Sequence, residues 1–271
     1  MGKTILITGS TDGIGLETAK VLTSLGHRVL LHGRNPSKLE KAKQALSDLS
    51  GGDLPSGGPI EGHLADLSSM AEVEALARAV ADTHDRLDVL INNAGVYNTP
   101  KPITADGLDV RFAVNTLAPY LLTRRLLPRL GTSGRVVNLS SAAQAPVDTQ
   151  ALAGKVRLSD GEAYAQSKLA LTLWSRSLGL ELGDRGPVIV AVNPGSFLGT
   201  KMVKQAFGMA GHDIRIGADI LRRAALDDEF EGASGRYFDN DSKRFASPHP
   251  EALDARKSEE VIRVLEALLE A

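Results

Sequence analysis

Apolar residues follow two different rhythms along this chain. Short, nearly continuous apolar runs occupy residues 4–8, 29–32, 87–91, 135–139 and 188–192, with a weaker one at 60–64. Between them the apolar positions recur at helical spacing. Val73, Leu76, Ala77 and Val80 form an i, i+3, i+4, i+7 stripe; Leu39, Ala42, Leu46 and Leu49 form another; Ala19, Leu22 and Leu25 form a third that Gly26 closes. In the second half, the pattern predicts a helical region over 108–130 in two pieces around Asn115 and a long helix over 162–182. Further helices are predicted over 214–226 and 258–269, with a short last strand at 236–238. Residues 50–59 are rich in glycine and proline and read as an exposed loop, and residues 144–160 read as irregular and polar.

Runs without alternation are what strands buried on both faces look like, as in a parallel sheet covered by helices. Right-handed crossovers then give an α/β fold: a single Rossmann-like, doubly wound parallel sheet with helices on both faces. No break in composition marks a second unit, so residues 1–271 are expected to form one domain.

Composition narrows the function classes. Of the 271 residues, 42% are hydrophobic and 24% charged, ordinary for a globular protein with a sizeable core. With no cysteine, a disulfide framework, a thiolate metal site and a cysteine nucleophile are all excluded. The net charge of −2 and the absence of a long basic run leave nucleic-acid binding without support. The six histidines form no H-x-x-x-H or H-E-x-x-H pair, so no metal site is expected. No apolar run reaches membrane-spanning length, and the N-terminal run is too short for a signal sequence. Gly2 invites a myristoylation reading, but Leu6 stands where Ser or Thr is wanted. A cytoplasmic protein without membrane partners is the expectation.

Two stretches carry candidate chemistry. Thr8-Gly9-Ser10-Thr11-Asp12-Gly13-Ile14-Gly15 joins the first strand to the first helix, where glycines and free helical N–H groups can receive a dinucleotide pyrophosphate. Tyr164 and Lys168 stand four apart, on one face if the segment is helical. An ammonium beside a phenol favours the phenolate; bringing a pKa near 10 to about 7 needs on the order of 4 kcal/mol. Such a tyrosine gives or takes a proton near neutral pH.

The T-G-x-x-x-G-I-G loop followed far downstream by Y-x-x-x-K resembles the short-chain dehydrogenase/reductase family in its compact form. Four further motifs fit in order: Asn92-Asn93-Ala94-Gly95, Asn115 within Ala113-Val114-Asn115, Asn138-Leu139-Ser140-Ser141, and Pro194-Gly195. The set covers about residues 4 to 200. The resemblance implies Tyr164 as general acid/base and Lys168 as holder of the nicotinamide ribose and depressor of the tyrosine's pKa. It implies Ser141 as partner of the substrate oxygen and Asn115 as anchor of a water in a proton relay. Of the adjacent serines, Ser141 fits the motif and Ser140 reads as structural. Cofactor contacts are expected from Gly9, Ser10, Asp12, Gly13, Ile14 and Gly15, from Asn93, Ala94 and Gly95, from Tyr164 and Lys168, and from Pro194 and Gly195.

The second strand ends His32-Gly33-Arg34-Asn35, with no carboxylate to take a ribose 2′-hydroxyl. Arg34, with Asn35, suits a 2′-phosphate, so NADP(H) is preferred, with NAD(H) also possible. Asp66-Leu67 resembles the family's adenine-contacting pair, and Asp66 also suits a helix cap. Two departures from the family pattern stand out. Ser141 and Tyr164 are 23 apart, longer than in many members and similar to the retinol-dehydrogenase and carbonyl-reductase branches. The extra residues, about 144–160, either shape the substrate pocket or cover a helix face through which many relatives dimerise. The segment after Pro194-Gly195 is one residue longer than usual, so Thr200 matches loosely; residues 196–213 form a second substrate-side segment, where Phe197, Leu198 and Met202 suit either a pocket wall or core. The expected activity is hydride transfer between NADP(H) and an alcohol or carbonyl, by a homo-oligomer or a monomer. The alternative is a catalytically silent, nucleotide-binding regulator or scaffold of the same fold.

Overall fold

In the computed structural model, which describes residues 2–49 and 60–270, the apolar runs become the strands of one sheet. The expected loop at 50–59 lies outside the described residues. The strands are β1 (Thr4–Ile7), β2 (Arg28–Gly33), β3 (Glu61–Leu64), β4 (Val89–Asn92), β5 (Arg135–Leu139), β6 (Val188–Asn193), β7 (Tyr237–Asp239) and β8 (Arg244–Ala246). Their order is β3-β2-β1-β4-β5-β6-β7-β8. The first seven run parallel, and β8 pairs antiparallel with β7. The strand expected at 236–238 is therefore not the last; β8 is three residues long, too short to leave a pattern in the sequence.

The continuous apolar runs have a direct explanation in the packing. Leu6, Leu30, Leu90, Val136 and Ile189 feed the core on one side of the sheet. Their neighbours Ile5, Ile7, Leu31, Val89, Ile91, Val137 and Val190 feed the core on the other. Each strand serves two cores by alternation, so the strand middles are apolar, and the buried polar residues His32, Asn92, Asn138 and Asn193 come toward the carboxyl ends. Edge strand β3 is the exception, with alternating exposure.

Helices α1 (Gly13–Ser24), α2 (Pro36–Leu49) and α9 (Arg215–Leu226) cover the second face. Helices α3 (Met70–Thr83), α5 (Ala118–Leu130), α7 (Asp160–Leu182) and α10 (Ala255–Glu270) cover the first. The helical stripes end where the core does: Leu25 and Leu49, each the last member of its stripe, are 53% and 55% exposed. The region expected in two pieces around Asn115 is continuous, its two α segments joined by a π turn that carries Asn115. It begins as the single turn α4 (Val110–Phe112), opens to a π turn over Ala113–Leu117, and closes into α5. The segment 144–160 holds a short helix α6 (Thr149–Leu152), capped by Asp148. Helix α8 (Lys201–Phe207), absent from the sequence reading, follows β6 and is capped by Thr200, whose Oγ1 accepts from Val203 N–H at 3.2 Å.

Between β1 and β4 the strand order reverses direction along the chain. In sheets of this kind ligands bind outside the carboxyl ends of the strands at that point.

Candidate active site

The glycine-rich loop crosses the end of β1. Gly9 adopts φ +65°, and a side chain there would meet Ala94 Cα at 2.9 Å. A side chain at Gly15 would meet Asn93 Nδ2 at 2.4 Å and the Gly9 carbonyl oxygen at 2.5 Å. Gly13, at φ +60°, faces open space. Asp12 caps α1, accepting from Gly13 N–H at 2.9 Å. Of the expected contacts here, Gly9, Asp12, Gly13 and Ile14 line the cavity. Ser10 does not: it is fully buried, and its hydroxyl accepts from His32 N–H at 2.8 Å. Gly15 likewise lies beneath the surface, where its lack of a side chain permits the close approach of Asn93.

His32 holds this loop, a role the sequence reading missed. Gly9 N–H donates to its Nδ1 at 3.0 Å, and its Nε2 lies 3.1 Å from the Ala65 carbonyl oxygen. The ring's proton therefore sits on Nε2. Burial pushes its pKa down to about 4, against a smaller upward pull from the Ala65 bond. At the adjacent end of β2, Arg34 is exposed, lines the cavity, and has no hydrogen bond or ion pair to a described residue. Asn35 is placed differently: its Oδ1 accepts from Lys38 N–H at 3.0 Å, so it caps α2 and lies off the cavity wall. Asp66 and Leu67 line the cavity, with Asp66 Oδ1 accepting from Ser68 N–H and Oγ–H at 2.9 and 2.8 Å. The cap of α3 is Ser69, so Asp66 organises the turn before the helix.

Beyond β4, Asn93 donates through Nδ2 to the carbonyl oxygens of Thr8 and Gly9 at 2.8 and 3.1 Å. Asn93, Ala94 and Gly95 all line the cavity. Asn115, set in the π turn and buried, holds the next residue by both its groups: Oδ1 accepts from Val96 N–H at 2.8 Å and Nδ2 donates to the Val96 carbonyl at 3.0 Å. Nδ2 also donates to Ser167 Oγ at 3.0 Å.

At the centre are Ser141, Tyr164 and Lys168, all on the cavity wall. A Ser159–Glu162 capping box starts the helix that carries Tyr164. Ser141, just past β5, is hydrogen-bonded to the Tyr164 phenol. Ser140 is buried, its Oγ 2.7 Å from Thr172 Oγ1, the structural role expected of it. Lys168 donates through Nζ to the Leu139 carbonyl oxygen at 2.7 Å and sits 5.8 Å from the centre of the Tyr164 ring. The expected depression of the phenol's pKa is not what the structure gives. Burial pushes Tyr164 up, with the Ser141 hydrogen bond opposing it, and burial pulls Lys168 down to about 8. The phenol is therefore held protonated, as a donor. The ring of Tyr97 packs on Tyr164 with centroids 4.9 Å apart.

Pro194 and Gly195 complete the wall, and α8 folds over it. Lys201 of α8 reaches Asp12 at 2.5 Å, and Lys38 approaches the same carboxylate at 3.3 Å. Phe197 holds a left-handed backbone (φ 51°), and its carbonyl accepts from His212 N–H at 2.7 Å. The cavity is about 770 Å³. Its lining includes Ser196, Phe197, Leu198 and Met202 and nothing from residues 144–160. Gln144 donates through Nε2 to the Ser141 carbonyl oxygen at 2.9 Å, while farther along the segment Val147 N–H donates to Glu251 Oε2, Thr149 Oγ1 to Glu260 Oε1, and Ala151 and Leu152 enter the core. Among the described residues no group of acidic or histidine side chains is placed to hold a metal ion.

Comparisons with known proteins agree with this architecture. A profile of the short chain dehydrogenase family matches residues 3–210. Retinol dehydrogenase 13 of Mus musculus is 35% identical, the match covering 97% of this chain and 81% of the relative. Polyprenol dehydrogenase of Homo sapiens is 36% identical over 88% of this chain and 77% of its own length. Among solved structures, a protein from Mycobacterium paratuberculosis superposes with a TM-score of 0.80 at 28% identity, covering 99% and 94% of the two chains. A short chain dehydrogenase from Shigella flexneri, complexed with NADP, gives a TM-score of 0.67 at 26% identity over 88% and 97%. The chain belongs to the short-chain dehydrogenase/reductase family of oxidoreductases, in its retinol-dehydrogenase-like branch.

Proposed function

We propose that this protein interconverts an alcohol and a carbonyl compound using NADP(H), with Tyr164 moving the proton. The observation that carries the reading is the meeting of Ser141, Tyr164 and Lys168 on the wall of the cavity that the glycine-rich loop also lines.

The residues fit a dinucleotide. Gly13 leaves its flank of the loop open, Gly9 holds a turn that a side chain would block, and the N-terminus of α1 supplies N–H groups to a pyrophosphate. The unpaired Arg34 suits a 2′-phosphate, whose charge-assisted, bidentate recognition is a guanidinium's strength. Asp66 and Leu67, on the cavity wall, would meet the adenine, and Lys168, with N–H groups left after its Leu139 bond, would take ribose hydroxyls. When bound, the nicotinamide supplies or accepts the hydride.

The chain's own part is acid/base and positional. The Ser141 hydroxyl and the Tyr164 phenol both address the substrate oxygen. A phenol held protonated by burial donates to the oxygen of a carbonyl undergoing reduction and accepts the proton back in the reverse direction. Asn115 fixes Val96, and so the wall opposite. Apolar groups from Val96, Ala142, Ala143, Phe197 and Met202 line the cavity beside Tyr164. With relatives named for retinol and polyprenol, both alcohols with long apolar tails, this lining supports a lipophilic substrate.

The test is oxidation of NADPH against a panel of aliphatic and isoprenoid aldehydes and ketones, wild type beside Tyr164→Phe. Loss of the general acid is expected to lower kcat by about 10²-fold or more. Equal rates in the two proteins would overturn the mechanism, and nucleotide binding without any turnover would favour the silent regulator.

We also propose one domain over residues 1–271 and a monomer in solution. Helix α10 lies over α7, and Tyr120 of α5 donates to Glu266 of α10 at 3.0 Å, so the helix face that would serve a dimer is already covered. Light scattering checks the mass. No helix among the described residues is long and apolar enough to cross a membrane.

A further inference from the structure

We infer that Arg111 is a positioning residue for Tyr164: its buried guanidinium ties the helical turn before Asn115, the loop that carries Tyr97, and the first turn of the tyrosine's own helix into one unit. The inference rests on the acid/base reading of Tyr164 above.

The side chain is 1% exposed, and its polar groups meet partners in three elements. Nε and Nη2 donate to the two oxygens of Asp109 at 2.8 and 2.7 Å, a bidentate fork. Nη1 donates to the Tyr97 carbonyl oxygen at 3.2 Å and to Asp160 Oδ1 at 2.5 Å. Asp109 is itself buried and accepts from Arg111 N–H at 2.9 Å, so its carboxylate is fixed as well.

Sequence spacing turns this cluster into a device. Arg111 precedes Asn115 by four residues, and Asp160 precedes Tyr164 by four. A single guanidinium therefore links one turn upstream of each. It also holds Tyr97 from below while Asn115 holds Val96 by its backbone groups, and the Tyr97 ring rests against Tyr164 at 4.9 Å. The phenol is thus approached by the same guanidinium along two routes, through its helix and through its ring contact. A planar fork with fixed donor directions suits this; a lysine's point charge would hold the partners without setting their angles. Neither Arg111 nor Asp109 lines the cavity, so the effect reaches the chemistry only through Tyr97 and Tyr164.

The experiment compares Asp160→Asn with Glu162→Gln. Both remove a carboxylate from the first turn of α7, but only Asp160 meets Arg111; Glu162 accepts from the Ser159 hydroxyl and N–H. Misplacement of a reacting group by a fraction of an ångström is expected to lower kcat of Asp160→Asn by about tenfold, leaving NADPH Kd unchanged. The ionisation midpoint of Tyr164 should also move, read as the ultraviolet difference titration of each protein against its Tyr164→Phe counterpart. Glu162→Gln should lower Tm while keeping wild-type kcat and midpoint. The inference is overturned if the two variants match in both kcat and midpoint. Should the wild type turn over no alcohol or carbonyl, the oxidoreductase reading has failed, and the titration alone decides the inference: an unmoved midpoint in Asp160→Asn sinks it.

Discussion

Lys168 stands 5.8 Å from the centre of the Tyr164 ring with its Nζ bound to a main-chain carbonyl, and both groups are held in their less ordinary proton affinities by burial. For Lys168 the folded pKa, about 8, lies below the unfolded value of 10.5. Between those values the unfolded chain binds more protons, so stability rises with pH through that window; below it the buried ammonium is a standing cost. Lys168→Met is accordingly expected to abolish turnover while raising Tm at pH 7 by a few degrees, measured by calorimetry. A lower Tm would show that the Leu139 hydrogen bond outweighs desolvation.

His32 makes the opposite end of the cavity sensitive to acid. Its folded pKa of about 4 lies below the unfolded 6.5, so its contribution is complete above about pH 6.5 and is lost as pH falls through about 4. The difference corresponds to about 3 kcal/mol. Urea unfolding between pH 7 and 4 is expected to show this loss in the wild type and to show much less of it in His32→Gln, whose amide can still receive Gly9 N–H. Parallel curves would refute the assignment.

Arg34 is the lever on nucleotide choice. Arg34→Asp removes the cation and adds a carboxylate suited to a ribose diol, so kcat/KM for NADPH is expected to fall by about 10²-fold and that for NADH to rise. Steady-state kinetics with each nucleotide decide it; an unchanged ratio would move the 2′-phosphate elsewhere, to another cation of the wall such as Lys38 or Lys201.

Two glycines of one loop are expected to fail in different ways. Gly15→Ala drives a methyl into the Gly9 carbonyl, a main-chain atom that cannot step aside, and should lower Tm sharply. Gly13→Ala meets no protein atom and costs only its left-handed backbone, about 1–2 kcal/mol, yet its methyl points to where a pyrophosphate would lie. It should remain folded and bind NADPH weakly, by calorimetric titration. Full affinity would remove the loop from the binding site.

Much of this was readable from residue order because buried parallel strands and amphipathic helices leave repeating patterns. Val73, Leu76, Ala77 and Val80 are all buried as their spacing required. The motif residues converge because Asn93 and Ser141 follow the ends of neighbouring strands β4 and β5, and Tyr164 and Lys168 share one face of α7. What escaped was of another kind. Helix α8 has seven residues and β8 three, lengths below any periodicity. His32 and Arg111 work through single long-range hydrogen bonds to Gly9, Tyr97 and Asp160, which no local spacing announces. Ser10 and Asn35 occupy motif positions, but their side chains turned to nearer backbone groups. Residues 144–160 read as irregular and polar, and the short helix among them is tied down by Glu251 and Glu260, about a hundred residues away.

The π turn at Ala113–Leu117 makes the chain count its residues at one place. A regular α-helix that loses one residue turns everything before the loss by about 100°. This run carries its spare residue in the π turn, so a chain without Val114 could close to ordinary α geometry with Arg111 and α5 nearly in phase. What it would give up is the widened backbone from which Asn115 reaches Val96 and Ser167. One residue of length thus serves the wall of the cavity and not the helix that holds it.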